Sequence, residues 1–158
     1  MCSYLFSDLT GTRLESNHPI GVFSGNNFMV GGYEPPLVNP VHLVEQLPPI
    51  DDWGYTFYLV PLPGIEDGYT YKIVTSSGNC SVSIETSDGA EVASYLLQDP
   101  GSFTTLTETG GNLLAIRSTE PVMVAQFAGG TLEGRPIDVN KINKIQTRLL
   151  LLIWPLDL

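Results

Sequence analysis

Through the middle of the chain, apolar side chains recur at every second residue. Tyr69, Tyr71, Ile73 and Thr75 alternate with Thr70, Lys72 and Val74, and Cys80, Val82 and Ile84 alternate with Ser81, Ser83 and Glu85. A period of two sorts side chains onto the two faces of a pleated strand, whereas a helix would repeat near 3.6. Between these runs, Ser76-Ser77-Gly78-Asn79 predicts a tight loop joining the strands 69–75 and 80–85 as a hairpin. Further strands are expected at 91–97, 103–107, 113–117 and 122–127, parted by Ser87-Asp88-Gly89, Asp99-Pro100-Gly101 and Gly110-Gly111-Asn112. Short strands at this spacing, rich in Thr, Ser, Val and Tyr, favour an antiparallel sandwich or barrel. The expected fold class is therefore all-β, an antiparallel β-sandwich built from short strands.

The first half carries the same signals with more proline. Strands are expected at 12–16 and 20–24 around Asn17-His18-Pro19, and at 56–60 after Trp53-Gly54. Residues 25–40, with Gly31-Gly32, Pro35-Pro36 and Pro40, read as a long loop. The internal helix candidate is 41–47, closed at once by Pro48-Pro49. A second helical spacing, Ile142, Ile145, Leu149 and Leu152, lies in the tail.

Two stretches read alike. Leu14-Glu15-Ser16-Asn17-His18-Pro19-Ile20-Gly21-Val22 can be laid on Ile116-Arg117-Ser118-Thr119-Glu120-Pro121-Val122-Met123-Val124 at an offset of 102, with three identities in nine. Both read as strand, Ser-x-x-Pro, strand. Proline that opens a strand forfeits no ladder bond. Common turn chemistry can give such a likeness by chance; read as a repeat, it implies one unit of about 100 residues plus the start of a second.

Composition narrows the function. With 7 Lys+Arg against 17 Asp+Glu in 158 residues, the net charge is −10. Residues 1–134 carry −12 of it and residues 135–158 carry +2. Such an acidic chain has no general attraction for phosphate backbones or anionic lipid, so we expect no nucleic-acid partner and no membrane insertion. The start, Met1-Cys2-Ser3-Tyr4, lacks the basic and apolar regions of a signal peptide. Leu149 to Trp154 is apolar but far below the ~20 residues of a membrane span. The chain thus reads either as a soluble cytoplasmic protein or as a piece of a longer secreted one. Cys2 and Cys80 cannot build a disulfide framework, and with no Cys-x-x-Cys or Cys/His cluster no structural zinc site is expected.

Several of these residues are similar to a known family. Asp8-Leu9-Thr10-Gly11-Thr12-Arg13 leads into Glu15-Ser16-Asn17-His18-Pro19 and Val22-Phe23-Ser24-Gly25-Asn26. His42-Leu43-Val44-Glu45-Gln46-Leu47-Pro48-Pro49, Trp53-Gly54 and Pro61-Leu62-Pro63-Gly64 follow, and Pro121-Val122-Met123-Val124-Ala125-Gln126-Phe127 closes the series. Together they resemble the N-terminal domain of IgGFc-binding proteins over about residues 8–130, with 131–158 as a divergent tail. The resemblance implies an all-β module of large secreted proteins, found beside von Willebrand factor type D domains in mucus and at epithelial surfaces. It implies adhesion or binding, no enzymatic activity and no cofactor. The implied partner is protein, immunoglobulin Fc or another secreted glycoprotein, or else a glycan. Similar members carry two cysteines where this chain has Phe28 and Pro40, which implies that a loop disulfide is missing here.

Reactive chemistry is sparse. His18 and His42 are the two histidines, and neither lies in a Gly-x-Ser-x-Gly context, so no catalytic residue is assigned. Asp51-Asp52 and Glu66-Asp67 lack the staggered spacing of a calcium loop, and no metal site is assigned. No glycine cluster continues into a phosphate-binding Gly-Lys-Ser/Thr. Asn79-Cys80-Ser81 is a glycosylation sequence on an expected turn, although eight asparagines in this composition would give about one by chance. Trp53, Tyr55, Phe57 and Tyr58 form an aromatic cluster, either core packing at a strand start or a platform for a sugar or protein. Ligand-binding candidates are Trp53 and Tyr55 with Asn26 and Asn27 of the long loop. Alternatives to a binding module of the resembled type are a carbohydrate-binding or carbohydrate-processing module and a purely structural stacking repeat.

Overall fold

The structure, a computed structural model, describes residues 8–29, 41–61, 69–108, 112–128 and 150–153; residues 26–29, 41–43, 128 and 150–153 are described by their backbone. Among the described residues nine strands follow in order: β1 Val22–Met29, β2 Val41–Leu47, β3 Gly54–Leu59, β4 Tyr69–Thr75, β5 Cys80–Thr86, β6 Glu91–Leu97, β7 Phe103–Glu108, β8 Leu114–Ala128 and β9 Leu150–Ile153. A 3₁₀ turn at Ile50–Asp52 precedes β3. All pairings are antiparallel, and the fold is the expected all-β class, with the sheets curled into a sandwich.

Strand β8 organises the molecule. Its first half pairs with β3 and β5, with Ile116 opposite both Phe57 and Ile84. Its second half pairs with β4 and β9, with Val124 opposite both Ile73 and Ile153. Residues 119–121 pair with no strand among the described residues, and β3 skips from Arg117 to Val122 across them. Pro121 therefore sits at a corner where no ladder N–H is needed, and there the strand passes from one layer of the curled sheet to the other. β3 to β9 thus form one seven-stranded sheet that curls at this corner into two layers, β3-β8-β5-β6 and β9-β8-β4-β7, while β1 and β2 form a separate two-stranded sheet.

Period-two patterning fills the space between the layers. Phe57 and Leu59 of β3, Tyr69, Tyr71 and Ile73 of β4, Val82 and Ile84 of β5, and Ile116, Val122 and Val124 of β8 make one buried cluster. Two buried polar side chains are satisfied locally: Gln126 Nε2–H donates to the Tyr71 hydroxyl at 3.2 Å, and the Thr75 hydroxyl donates to the Ser77 carbonyl at 2.9 Å. Burial, reinforced by Tyr69 and Glu108 and only partly offset by the Gln126 bond, pushes the Tyr71 phenol up to about 12.

Several local expectations are corrected. Strands 69–75 and 80–85 are not a hairpin: β4 pairs with β7 and β8, and β5 with β6 and β8. Their loop crosses between layers because its backbone groups bond outward. Thr75 N–H donates to Ser102 C=O and Asn79 N–H to Gln98 C=O, both on the β6–β7 connection. Residues 41–47, expected as a helix, form β2, paired with β1 from Val22↔Leu47 onward. Seven residues are too few to sustain a helix alone, and a strand partner decides the outcome. Residues 12–16, expected as a strand, belong to none, and the strand expected at 20–24 starts at Val22. Of the 25–40 loop, 25–29 lie in β1, while 30–40 fall outside the described residues. In the tail, 150–153 is a strand where helical spacing was read; the rest of that spacing lies outside the described residues.

The N-terminal stretch is tied down at its beginning. Lys72 Nζ donates to Asp8 Oδ2 at 2.5 Å and to Thr10 Oγ1 at 3.1 Å, and lies 5.2 Å from the Phe103 ring centroid. Some burial works against the Asp8 anion, but the Lys72 and Thr10 hydrogen bonds and the Lys72 charge outweigh it and hold the carboxyl down at about 2. Gly11 (φ +87°) meets Gly101 (φ +83°) of the Asp99-Pro100-Gly101-Ser102 turn. A Cβ on Gly11 would fall 2.0 Å from the Gly101 oxygen, so this contact requires a residue without a side chain.

Candidate functional site

The outer face of the β3-β8-β5-β6 layer carries a candidate surface for a ligand. Register fixes its rows. Thr56, Arg117, Ser83 and Ser94 stand side by side across the four strands, and Tyr58, Ala115 and Glu85 form the next row. The β-strand alternation that sends Val82 and Ile84 inward leaves Ser81, Ser83 and Glu85 outward. Arg117 Nε–H donates to Glu85 Oε2 at 3.1 Å, an exposed pair that orients the guanidinium more than it stabilises the fold. Along β5 and β6 a shallow groove of about 560 Å³ is lined by Ser81, Ser83, Ser94, Leu96, Arg117 and Thr119. The Thr119 hydroxyl accepts from the Ser81 N–H at 2.9 Å.

Aromatic side chains flank this face. The aromatic cluster read from sequence is split by a register shift between Gly54 and Thr56. Phe57 enters the core, Tyr55 and Tyr58 stay exposed, and Trp53 is half-buried with Nε1–H donating to the Pro48 carbonyl at 3.4 Å. Tyr55 and Phe57 therefore do not share a face, because the bulge breaks the alternation. The Tyr55 carbonyl accepts from the Ser118 hydroxyl at 3.3 Å, fixing β3 to the β8 corner. Ile50 and Val60 add exposed apolar surface at the two ends of this segment.

The remaining candidates are dispersed. Asn26 and Asn27 lie in β1, not in a loop, in the strand backbone opposite β2, where the ladder is irregular between Asn26 and Met29. Asn79 is exposed in the left-handed region (φ 56°), as its small polar side chain tolerates. Cys80 beside it is fully buried with a free thiol, so the glycosylation sequence shows its Asn and Ser to solvent and its middle residue to the core. Cys2, the His42 side chain, Glu66 and Asp67 lie outside what is described. His18 is exposed, its N–H donating to the Ser16 hydroxyl at 3.3 Å, and Asp51 and Asp52 are exposed in the 3₁₀ turn. Asp88, at the β5–β6 turn, is held below the usual carboxylate range by the Thr86 hydroxyl and the Ala90 N–H. Among the described residues no cluster of three or more His, Cys, Asp or Glu is placed to hold a metal ion. No helix among them is long and apolar enough to cross a membrane.

Sequence reasoning missed Arg117, Glu85 and the hydroxyl row, since they come together from three strands far apart in the chain. The outward parity of Ser81, Ser83 and Glu85 was legible, but their neighbours were not.

No curated protein and no solved structure matches the chain at a significant level. The family model described as IgGFc binding protein matches residues 3–155, taking in β1 to β9 and most of the segment beyond residue 130. That family consists of extracellular, non-catalytic binding domains. This chain belongs to the IgGFc binding protein family.

Proposed function

We propose that the chain is a non-enzymatic adhesion module that binds a secreted glycoprotein, immunoglobulin Fc being the first partner to test, through the outer face of the β3-β8-β5-β6 layer. The observation that carries this reading is the row structure of that face. Tyr55 and Tyr58 offer exposed, low-entropy contact area beside a guanidinium already oriented by Glu85, a combination enriched at protein interfaces. The test is binding of the intact chain to immobilised Fc. Tyr58→Ala and Arg117→Ala should each weaken capture about tenfold, the size of an interface hot spot, while Arg13→Ala, in the exposed N-terminal stretch and on none of these strands, should not. Equal binding by all three variants would rule out this face.

A glycan ligand is the second reading, favoured by the hydroxyl-lined groove between β5, β6 and β8. Retention on a glycan array, lost on Ser83→Leu but not on Tyr58→Ala, would put it ahead of the protein partner. We further propose that Asn79 carries an N-linked glycan when the chain passes through a secretory host. Glycosidase treatment should then lower the mass, and an Asn79→Gln variant should show no such change; an unmodified wild-type mass counts against it.

A further inference from the structure

The two stretches that read alike in sequence have opposite fates. Ile116, Val122 and Val124 of β8 are each 0% exposed, whereas their counterparts Leu14 and Ile20 are 61% and 59% exposed and Val22 is only half-buried. The likeness extends into the pairing. The second half of β8 forms an antiparallel pair with β9, the next strand among the described residues, starting from Val124↔Ile153. Val22, which stands 102 residues before Val124, likewise opens a ladder with the following strand, Val22↔Leu47, the two partner residues being 106 apart. An antiparallel strand pair thus follows the Ser-x-x-Pro segment in both places. In one, the strand continues back through a Ser-x-x-Pro corner into partners on both layers. In the other, residues 14–21, with the same Ser-x-x-Pro, pair with no strand among the described residues, and β1 pairs with β2 alone.

We infer that residues 14–29 are a second central strand, built to complete a further unit of this fold. Its occupant is a set of strands equivalent to β3, β4 and β5 that has no β8 of its own. The assignment rests on three matched features: apolar residues at the positions that face the core in β8, proline at the sheet-switching corner, and a following strand on the same pattern. Asp8, Thr10 and the Gly11–Gly101 contact fasten the chain to its own body immediately before this stretch, leaving the stretch itself for another unit. A second copy of this chain does not fit the requirement, since its β4 and β5 already hold β8. The inference goes beyond the proposed ligand face, which lies on other strands, and stands or falls separately from it.

The experiment extends the full chain at its N-terminus, running residues 1–109 directly into Asp8, so that the added β3 to β7 segments lack a β8. Hydrogen exchange at amides 14–24 should slow at least about 100-fold relative to the single chain. Ile20→Asp in the downstream copy should abolish that protection and open the added strands to protease, while the same substitution in the single chain leaves its unfolding unchanged. Fast exchange at 14–24 in the extended chain overturns the inference. So does protection in the single chain that appears only as it dimerises, because the occupant is then another copy's edge.

Discussion

Residues 116–124 and 14–22 share a local grammar and differ in everything that tertiary structure adds. Each alternates apolar and polar positions around a Ser-x-x-Pro corner, and each is compatible with extended backbone. In β8 that backbone is held by β3 and β5 on one side of the corner and by β4 and β9 on the other, and the inward side chains meet a core. In 14–21 no partner strand is present among the described residues, Val22 meets only Leu47 of β2, and Leu14 and Ile20 face solvent. A period of two therefore specifies which face a residue takes, while neighbours supply the burial that makes the face matter.

The largest contrast should appear on substitution within the two stretches. Val122→Asp should prevent folding, because it places a charge where the side chain is 0% exposed. Ile116→Ala should cost about 2–5 kcal/mol, while Leu14→Ala and Ile20→Ala should each stay within about 0.5 kcal/mol. Denaturant unfolding of the four variants checks this, and a comparable loss at Ile20 would erase the difference.

A second, smaller effect belongs to the buried side. The Tyr71 phenol keeps its proton to about 12 in the fold, against 10.0 for an ordinary tyrosine. Between those values the unfolded chain binds fewer protons, so stability should fall as pH rises, by ~2–3 kcal/mol across the interval. Tyr71→Phe should flatten this fall while leaving Gln126 without its partner, at a cost of about 1–3 kcal/mol at neutral pH. Unfolding measured at pH 9 and 11 separates the two consequences.

The smallest effects concern the anchor that precedes the exposed stretch. Gly101→Ala should cost about 1–3 kcal/mol, since it adds a Cβ at positive φ within 2.6 Å of the Gly11 oxygen. Asp8→Ala should cost under about 1 kcal/mol, as its carboxylate is 45% exposed. The Asp8 contribution is complete above its ordinary value of 3.8 and should vanish as pH falls through about 2. Protease accessibility of residues 8–21 reports release of the anchor even where global stability barely moves.

How far the sequence reached is clearest at particular residues. The strands β4 to β7 were legible because alternation and Gly, Asp and Asn turns act within a few residues of one another. Gly101 at positive φ after Pro100, with Ser102 N–H donating to Asp99 C=O at 2.9 Å, is the turn those residues demand. The β4–β5 hairpin was misread because loop chemistry alone does not say whether a chain folds back within its sheet or crosses to the facing one. The helix read at 41–47 failed for a related reason, as seven residues take the conformation their partner offers. At the candidate site, exposure of Tyr55 and Tyr58 depended on a bulge that nothing local announces, and Arg117 met Glu85 across 32 positions of sequence.

By itself, the sequence determined the all-β class, which residues of β4 and β5 share a face, and which family it resembles, because periodicity and turn preference are properties of short stretches. Only the tertiary structure decided which strands become neighbours. Pairing is a contest among distant segments for the same hydrogen-bonding edges and the same buried volume. That contest made Ile116 a core residue and left Ile20 in water, and it assembled the row of Thr56, Arg117, Ser83 and Ser94 from four strands that sequence keeps apart.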